Sequence, residues 1–258
     1  MDIDPYNQNI TFVYSDGTPF SVSMPDINSF VQTGVQTSIN YGAQTGASIV
    51  TLVVLLLLTK ADKRSSAVFV LNTSALALNI ARLICQVLYF TSDFFMVYQF
   101  FSGDFSSVPV SAYANSILGI VFAFLLLICI EISLILQVMV VCSNLSDIYR
   151  RIILTVSILI ALFPIGFRLG MLVENAKCIV KNQPFWTFIW LQSANTILLT
   201  ISICFFCAIF VVKLGYTIRK RHQLGLTQFG PMQAIFIMGC QTMIVPGEYR
   251  TMDPPNPL

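Results

Sequence analysis

A chain of 258 residues that is 56% hydrophobic and only 10% charged, with a mean hydropathy of +0.78, carries more apolar side chain than one soluble core encloses. The formal net charge is only +2, and the charged residues fall in short clusters between long uncharged runs. A soluble globular domain is excluded, and the pattern is that of a polytopic, all-α membrane protein.

Residues 1–40 are polar and hold Asp2, Asp4, Asp16 and Asp26 but no lysine or arginine, so they lack the basic region of a signal peptide. The first span is therefore expected to serve as its own insertion signal. Alternation in ITFVYSDGTPFSVSMP around Asp16-Gly17 predicts a β-hairpin pairing 10–14 with 19–23, suited to shaping an extracellular ligand site. Asn9-Ile10-Thr11 is a glycosylation sequon, accessible at Asn9 if this segment lies outside; the matches at Asn72 and Asn144 fall in the membrane or the cytoplasm.

Five spans follow near 41–59, 67–90, 112–141, 152–173 and 188–213, each long enough to cross about 30 Å of hydrocarbon. Span one contains a GxxxG at Gly42 and Gly46, a flat face open to packing within the chain or to a second copy. Span two carries Asn72, Asn79 and Arg82, span three Glu131 and Gln137, and span four Arg168. Ionisable groups at membrane depth cost several kcal/mol unless paired. Arg82 and Arg168 lie toward the outer ends of their spans, where snorkelling to the surface is one explanation. Glu131 is expected to face the bundle interior, and the amides of Asn72, Asn79, Gln137 and Gln241 suit interhelical hydrogen bonds of about 0.6–2 kcal/mol.

The connection over 91–111, with TSDFFMVYQFFSGDFSSVP, reads either as aromatic residues at the headgroup level or as the mouth of a site for an amphipathic ligand. A second outer loop is expected over 174–187, containing Cys178. Seven cysteines mostly within apolar runs argue against a disulfide framework. The single His222 in a basic loop, with no Cys/His cluster and no HExxH, leaves no visible metal ligands and no cofactor, and no enzymatic constellation is present. Lys60, Lys63, Arg64, Arg150, Arg151, Lys213, Arg219, Lys220 and Arg221 supply nine of the 14 basic residues and share one side, so the N-terminus is expected outside the plasma membrane. The stretch VVKLGYTIRKRHQLGLTQFG reads as a topology determinant touching anionic lipid or as a docking surface.

VVKLGYTIRKRHQLGLTQF, then MQAIFIMGCQTMIVP, resembles the span five to span six region of the fungal alpha-factor pheromone receptors, a G-protein-coupled receptor family unlike the rhodopsin class. IEISLILQVMVV, FVLN and the GxxxG fit the same family. The resemblance implies a seven-transmembrane receptor bundle for a secreted peptide pheromone, acting on a heterotrimeric G protein. By the same resemblance Arg219, Arg221, Leu224, Gly225 and Gln228 belong to the G-protein surface. Asn72, Glu131, Gln137, Gln241 and Pro246 belong to the polar switch core, and Gly42 and Gly46 to a homodimer contact. Better-known members place an arginine inside this GxxxG, where Gln44 stands here.

A sixth span is expected near 231–246, but its apolar run from 232 to 245 holds only 14 residues. The expectation is a bundle over 41–246 lacking the outer half of span six and all of span seven, followed by an atypical polar tail over 247–258. Gly247-Glu248-Tyr249 can be encoded by GGTGAGTAC, which contains a splice-donor consensus, so read-through of an unspliced intron is one expected origin of that tail. Two alternatives accompany the receptor reading: a truncated isoform that pairs with and damps a complete receptor, and a transporter or channel lined by Arg82, Glu131 and Arg168. The second lacks the repeated halves or broken helices that transporters show.

Overall fold

The computed structural model describes residue 4 and residues 6–143, 145–181 and 189–223. The expected sixth span and the tail over 247–258 lie outside those residues, as do Leu224, Gly225, Gln228, Gln241 and Pro246.

Strands β1 (Asn9–Val13) and β2 (Pro19–Ser23) form an antiparallel hairpin in which Asn9 faces Ser23 and Val13 faces Pro19. The turn closes through Tyr14 N–H to the Thr18 carbonyl at 2.8 Å and Gly17 N–H to the Tyr14 carbonyl at 3.0 Å. Gly17 takes φ +85°, a region that side-chain-bearing residues enter at a cost. The Asp16 carboxylate accepts from both the hydroxyl and the backbone N–H of Thr18, at 2.6 and 2.9 Å. Those two bonds hold its pKa below the ordinary carboxylate value, the hydroxyl contributing most. Phe20 carries the apolar contacts of the hairpin, with ring centroids 4.3 Å from Tyr14 and 5.5 Å from Phe12.

Helix α1 (Met24–Leu58) starts with no linker after β2, so the helix begins nearly five turns before the span expected from 41. Polar residues over 24–40 hide the helix from a hydropathy reading, but its start is written locally. Ser23 is the N-cap and accepts from the Asp26 N–H at 3.3 Å, its hydroxyl hydrogen-bonds the Asp26 carboxylate, and Pro25 occupies the first turn. At 35 residues, α1 is about 52 Å long. Its C-terminal carbonyls are held by Arg64, which donates to Thr59 O at 3.0 Å and Leu56 O at 2.7 Å.

Helix α2 (Ala67–Phe90) is N-capped by Ser66, whose hydroxyl accepts from Phe69 N–H at 3.3 Å. A 3₁₀ turn (Asp93–Phe95) and the short helix α3 (Val97–Ser102) lie within the expected 91–111 connection. Helices α4 (Val110–Val141), α5 (Asp147–Lys181) and α6 (Ile189–Gln223) complete the order. Five helices of the described residues, all but α3, are long and apolar enough to cross a membrane. The outer loop expected from 174 is a correction. ENAKCIVK continues α5, with Glu174 and Lys177 paired at 2.8 Å along one helix face, so Cys178 is a buried helical residue rather than a loop thiol.

The chain divides into two compact units, residues 1–133 with 162–195, and residues 134–161 with 196–258. The first contains the hairpin, α1, α2 and α3 with parts of α4, α5 and α6. There α1 meets α2 through Asn79 Nδ2 donating to Ser48 Oγ at 2.9 Å. Helix α2 meets α4 at two heights, through Ser133 Oγ to Asn72 Oδ1 at 2.7 Å and Asn115 Nδ2 to Cys85 O at 2.9 Å. In the second unit, the described core is Val138, Cys142, Ala161 and Phe206, packed against Leu134, Ile153 and Ile209.

Candidate functional site

The first unit holds a cavity of about 800 Å³. Its walls follow helical spacing. Helix α2 contributes Arg82, Cys85, Gln86, Tyr89 and Phe90, which recur at intervals of three and four residues and so share one face. Helix α4 presents Asn115, Ser116, Gly119, Ile120 and Ala123, a strip of small and amide side chains. Helix α5 presents Arg168, Met171, Asn175, Cys178 and Ile179 at the same kind of spacing. Tyr41 enters from α1, and Phe94, Phe100 and Phe105 from the connection between α2 and α4.

Two chemistries therefore meet in one space. Near one end is an aromatic network. Phe95 stacks on Phe30 at 4.4 Å and meets Phe90 edge-on at 4.9 Å, while Phe94 packs edge-on against Tyr113 at 4.8 Å. Gly34 makes the approach of α1 possible, since a Cβ at that position would overlap the Phe95 ring. On α2 and α5 sit two guanidinium groups. Arg82 donates to Asn79 Oδ1 at 3.2 Å and Arg168 to Met171 Sδ at 3.4 Å. Neither of those acceptors is ionised, and no aspartate or glutamate is among the described residues lining the cavity. Guanidinium, amide and ring surfaces together suit an amphipathic, hydrogen-bonding ligand of several residues.

The hairpin is tied to the cavity's aromatic wall. Tyr98 on α3 donates its hydroxyl to the Val13 carbonyl at 3.1 Å, and its ring lies 6.5 Å from that of Phe20. On the same connection, Asp104 accepts from Ser106 N–H at 3.0 Å, and hydrogen bonding to Ser106, its side chain first and then its backbone, holds the Asp104 carboxyl below its ordinary value.

The residues singled out in the sequence are distributed unevenly. Asn72 accepts from Ser133 across α2 and α4, while Glu131 is fully buried on α4 and does not line the cavity. Gln137 belongs to the second unit, beside a separate space of about 120 Å³. Gly42 and Gly46 lie on an open face of α1, where an added Cβ meets nothing within 4 Å. Asn9 is exposed at the start of β1. Arg219 is exposed on α6, and the helix backbone continues through Arg221.

Arg82 and Arg168 line one cavity, a relation neither span announces alone. Gln86, Asn115 and Asn175 are lining residues that the sequence reading did not single out. The available signal was periodicity, because Arg82–Gln86 and Arg168–Asn175 each place polar groups on one stripe of an otherwise apolar helix.

The family described as "Fungal pheromone mating factor STE2 GPCR" matches residues 3–248. The chain is 24% identical over 252 residues to the pheromone P-factor receptor of Schizosaccharomyces pombe, covering 96% of this chain and 72% of that protein. It is 28% identical over 250 residues to the pheromone alpha factor receptor of Saccharomyces cerevisiae, covering 92% and 54% respectively. For the corresponding receptor of Lachancea kluyveri the values are 26% over 250 residues, 94% and 57%. The chain thus spans little more than half the length of these two alpha factor receptors.

Proposed function

Because the chain belongs to the fungal pheromone mating factor STE2 family of G-protein-coupled receptors, we propose that it binds a secreted peptide pheromone in the cavity between α2, α4 and α5. The observation that carries this reading is the 800 Å³ space whose walls combine aromatic rings, amides and two arginines within apolar helices. A peptide offers matching backbone amides and side chains, and the hairpin held to α3 by Tyr98 adds further surface for it.

In this proposal the N-terminus is extracellular and the protein lies in the plasma membrane, with Lys60, Arg64, Arg150, Arg151 and Arg219 in cytoplasmic positions. The signal passes to a heterotrimeric G protein through the basic stretch that includes Arg219, Arg221, Leu224, Gly225 and Gln228. Asn72, Glu131, Gln137, Gln241 and Pro246 form the polar groups that switch, and Asn9 carries a glycan. The open face at Gly42 and Gly46 supports a homodimer contact on α1. Radiolabelled pheromone, purified from the medium of cells of the opposite mating type, should bind membranes carrying this chain saturably. It should also accelerate GTPγS loading of added G protein. Absence of saturable binding overturns the ligand assignment, and binding without nucleotide exchange overturns the coupling assignment.

A further inference from the structure

We infer that Gln86 and Asn115 together grip the main chain of the peptide pheromone inside the cavity, a reading that rests on the receptor function proposed above. Both residues line that space, Gln86 from α2 and Asn115 from α4. They meet at one turn of α2, because Asn115 Nδ2 donates to the carbonyl of Cys85, the residue before Gln86, at 2.9 Å. The two helices run close here. A Cβ added at Gly119, one turn beyond Asn115 on α4, would lie 3.4 Å from the Cβ of Cys85.

The two amides are held differently. Asn115 is fixed by its bond to Cys85, which uses the nitrogen and leaves the oxygen as an oriented acceptor. Gln86 is the opposite case: its side-chain oxygen is enclosed, yet it accepts no hydrogen bond. A buried acceptor without a donor is unfavourable, so nothing polar anchors that oxygen where it lies. Several torsions separate the amide from the α2 backbone, and the wall it belongs to borders the space of about 800 Å³. A ligand that offers a donor draws the side chain into that space, and the orphaned oxygen is satisfied in the complex.

An extended peptide supplies the complementary pattern, since the N–H and C=O of one residue point to the same side of a strand. The Asn115 oxygen takes an N–H. The Gln86 amide, donor and acceptor at once, takes a C=O and an N–H. A main chain offers this pair at every residue, whereas a side-chain amide offers it only where the ligand sequence places one. The seam between α2 and α4 therefore reads backbone, and side-chain selectivity falls to the rest of the cavity.

The test uses pheromone purified from the medium of cells of the opposite mating type, sequenced and resynthesised. The synthetic set holds the native peptide and a series in which one backbone amide at a time becomes an ester, which deletes an N–H and weakens a carbonyl. Each is titrated on membranes carrying the full chain or its Gln86→Met or Asn115→Ala variant, with receptor amount normalised by an epitope tag. Gln86→Met keeps the length of the side chain without its hydrogen-bonding groups. It is expected to raise the Kd of the native peptide by about tenfold. The thermal unfolding midpoint of the ligand-free, detergent-solubilised variant should stay unchanged or rise, because an orphaned acceptor is removed. One ester, or two neighbouring ones, should weaken binding to the unaltered receptor by a similar factor and lose little further in Gln86→Met. Asn115→Ala, which also loses the bond to α2, should single out the same stretch of the peptide. Gln86→Asn, which keeps the amide but shortens its reach, carries the test with the same binding expectation should Gln86→Met fail to reach the membrane. Undiminished binding by the Gln86 variants overturns the proposal, as does a lowered midpoint in Gln86→Met, the mark of a purely structural role. An ester series in which no position weakens binding, or in which every loss adds in full to that of the variants, overturns it too. Failure of the native peptide to bind the unaltered receptor overturns the receptor function itself.

Discussion

The hydroxyl of Ser133 on α4 donates to the side-chain oxygen of Asn72 on α2 at 2.7 Å, joining two helices by a polar bond within their apolar surroundings. An interhelical bond of this kind is worth about 0.6–2 kcal/mol. Ser133→Ala and Asn72→Leu are each expected to lower the thermal unfolding midpoint of the detergent-solubilised protein. The double variant should lose less than the sum of the singles, because both remove the same bond. Additive losses would show that the two residues are not coupled.

Gly34→Ala sets two effects against each other. Alanine gains about 1 kcal/mol in helix propensity over glycine, but its Cβ would overlap the Phe95 ring, which Phe30 and Phe90 hold at 4.4 and 4.9 Å. Overpacking of that kind costs about 1–3 kcal/mol, so a net destabilisation near 1 kcal/mol is expected. In a Phe95→Ala background the clash is gone and Gly34→Ala should become stabilising. A destabilising effect in both backgrounds would place the cause outside this contact.

At the hairpin, the Thr18 hydroxyl and N–H favour the charged form of Asp16, so the folded-state pKa lies below the unfolded one. A depressed carboxylate supports the folded turn above its unfolded pKa and loses that support as the pH falls through the folded value. Hydrogen exchange at the hairpin amides should therefore accelerate relative to intrinsic rates on acidification below the ordinary carboxylate value of 3.8. Thr18→Val removes the hydroxyl bond, so a carboxyl titration followed by NMR should show Asp16 moving back up toward that value. An Asp16 titration unchanged by the substitution would contradict the assigned cause.

Arg64 satisfies two carbonyls at the end of α1 with one guanidinium, and its site is exposed. Arg64→Ala is expected to cost about 0.5–1.5 kcal/mol, visible as faster amide exchange in the last turn of α1. Arg64→Lys, with a single ammonium, should recover only part of the loss. Unchanged exchange in the alanine variant would mean that water replaces the side chain without penalty.

Much of this architecture is legible one segment at a time. The hairpin follows from period-two alternation around Asp16-Gly17, and the five apolar helices from hydropathy, because both signals are local. The start of α1 escaped a reading based on apolar runs, although Ser23, Pro25 and Asp26 spell a helix beginning. The extension of α5 escaped it for a related reason, since charge in ENAKCIVK reads as a loop when a helix leaving the bilayer carries the same charge. The cavity is a different case. Arg82 and Arg168 are 86 positions apart in the chain, and only the packing of α2 and α5 makes them neighbours of one space. Snorkelling and cavity lining are indistinguishable for either arginine until that packing is known.

Because Ser23 ends a strand and caps α1 at once, no slack separates the sheet from the long helix that follows. The first helix behaves as a mast with a small sail fixed to its tip. The sail is also tethered, because the Tyr98 hydroxyl holds the Val13 carbonyl at 3.1 Å, so a tilt or roll of the helix is passed through the hairpin to α3. A dye attached to the hairpin turn would then report movements of α1 and α3 together.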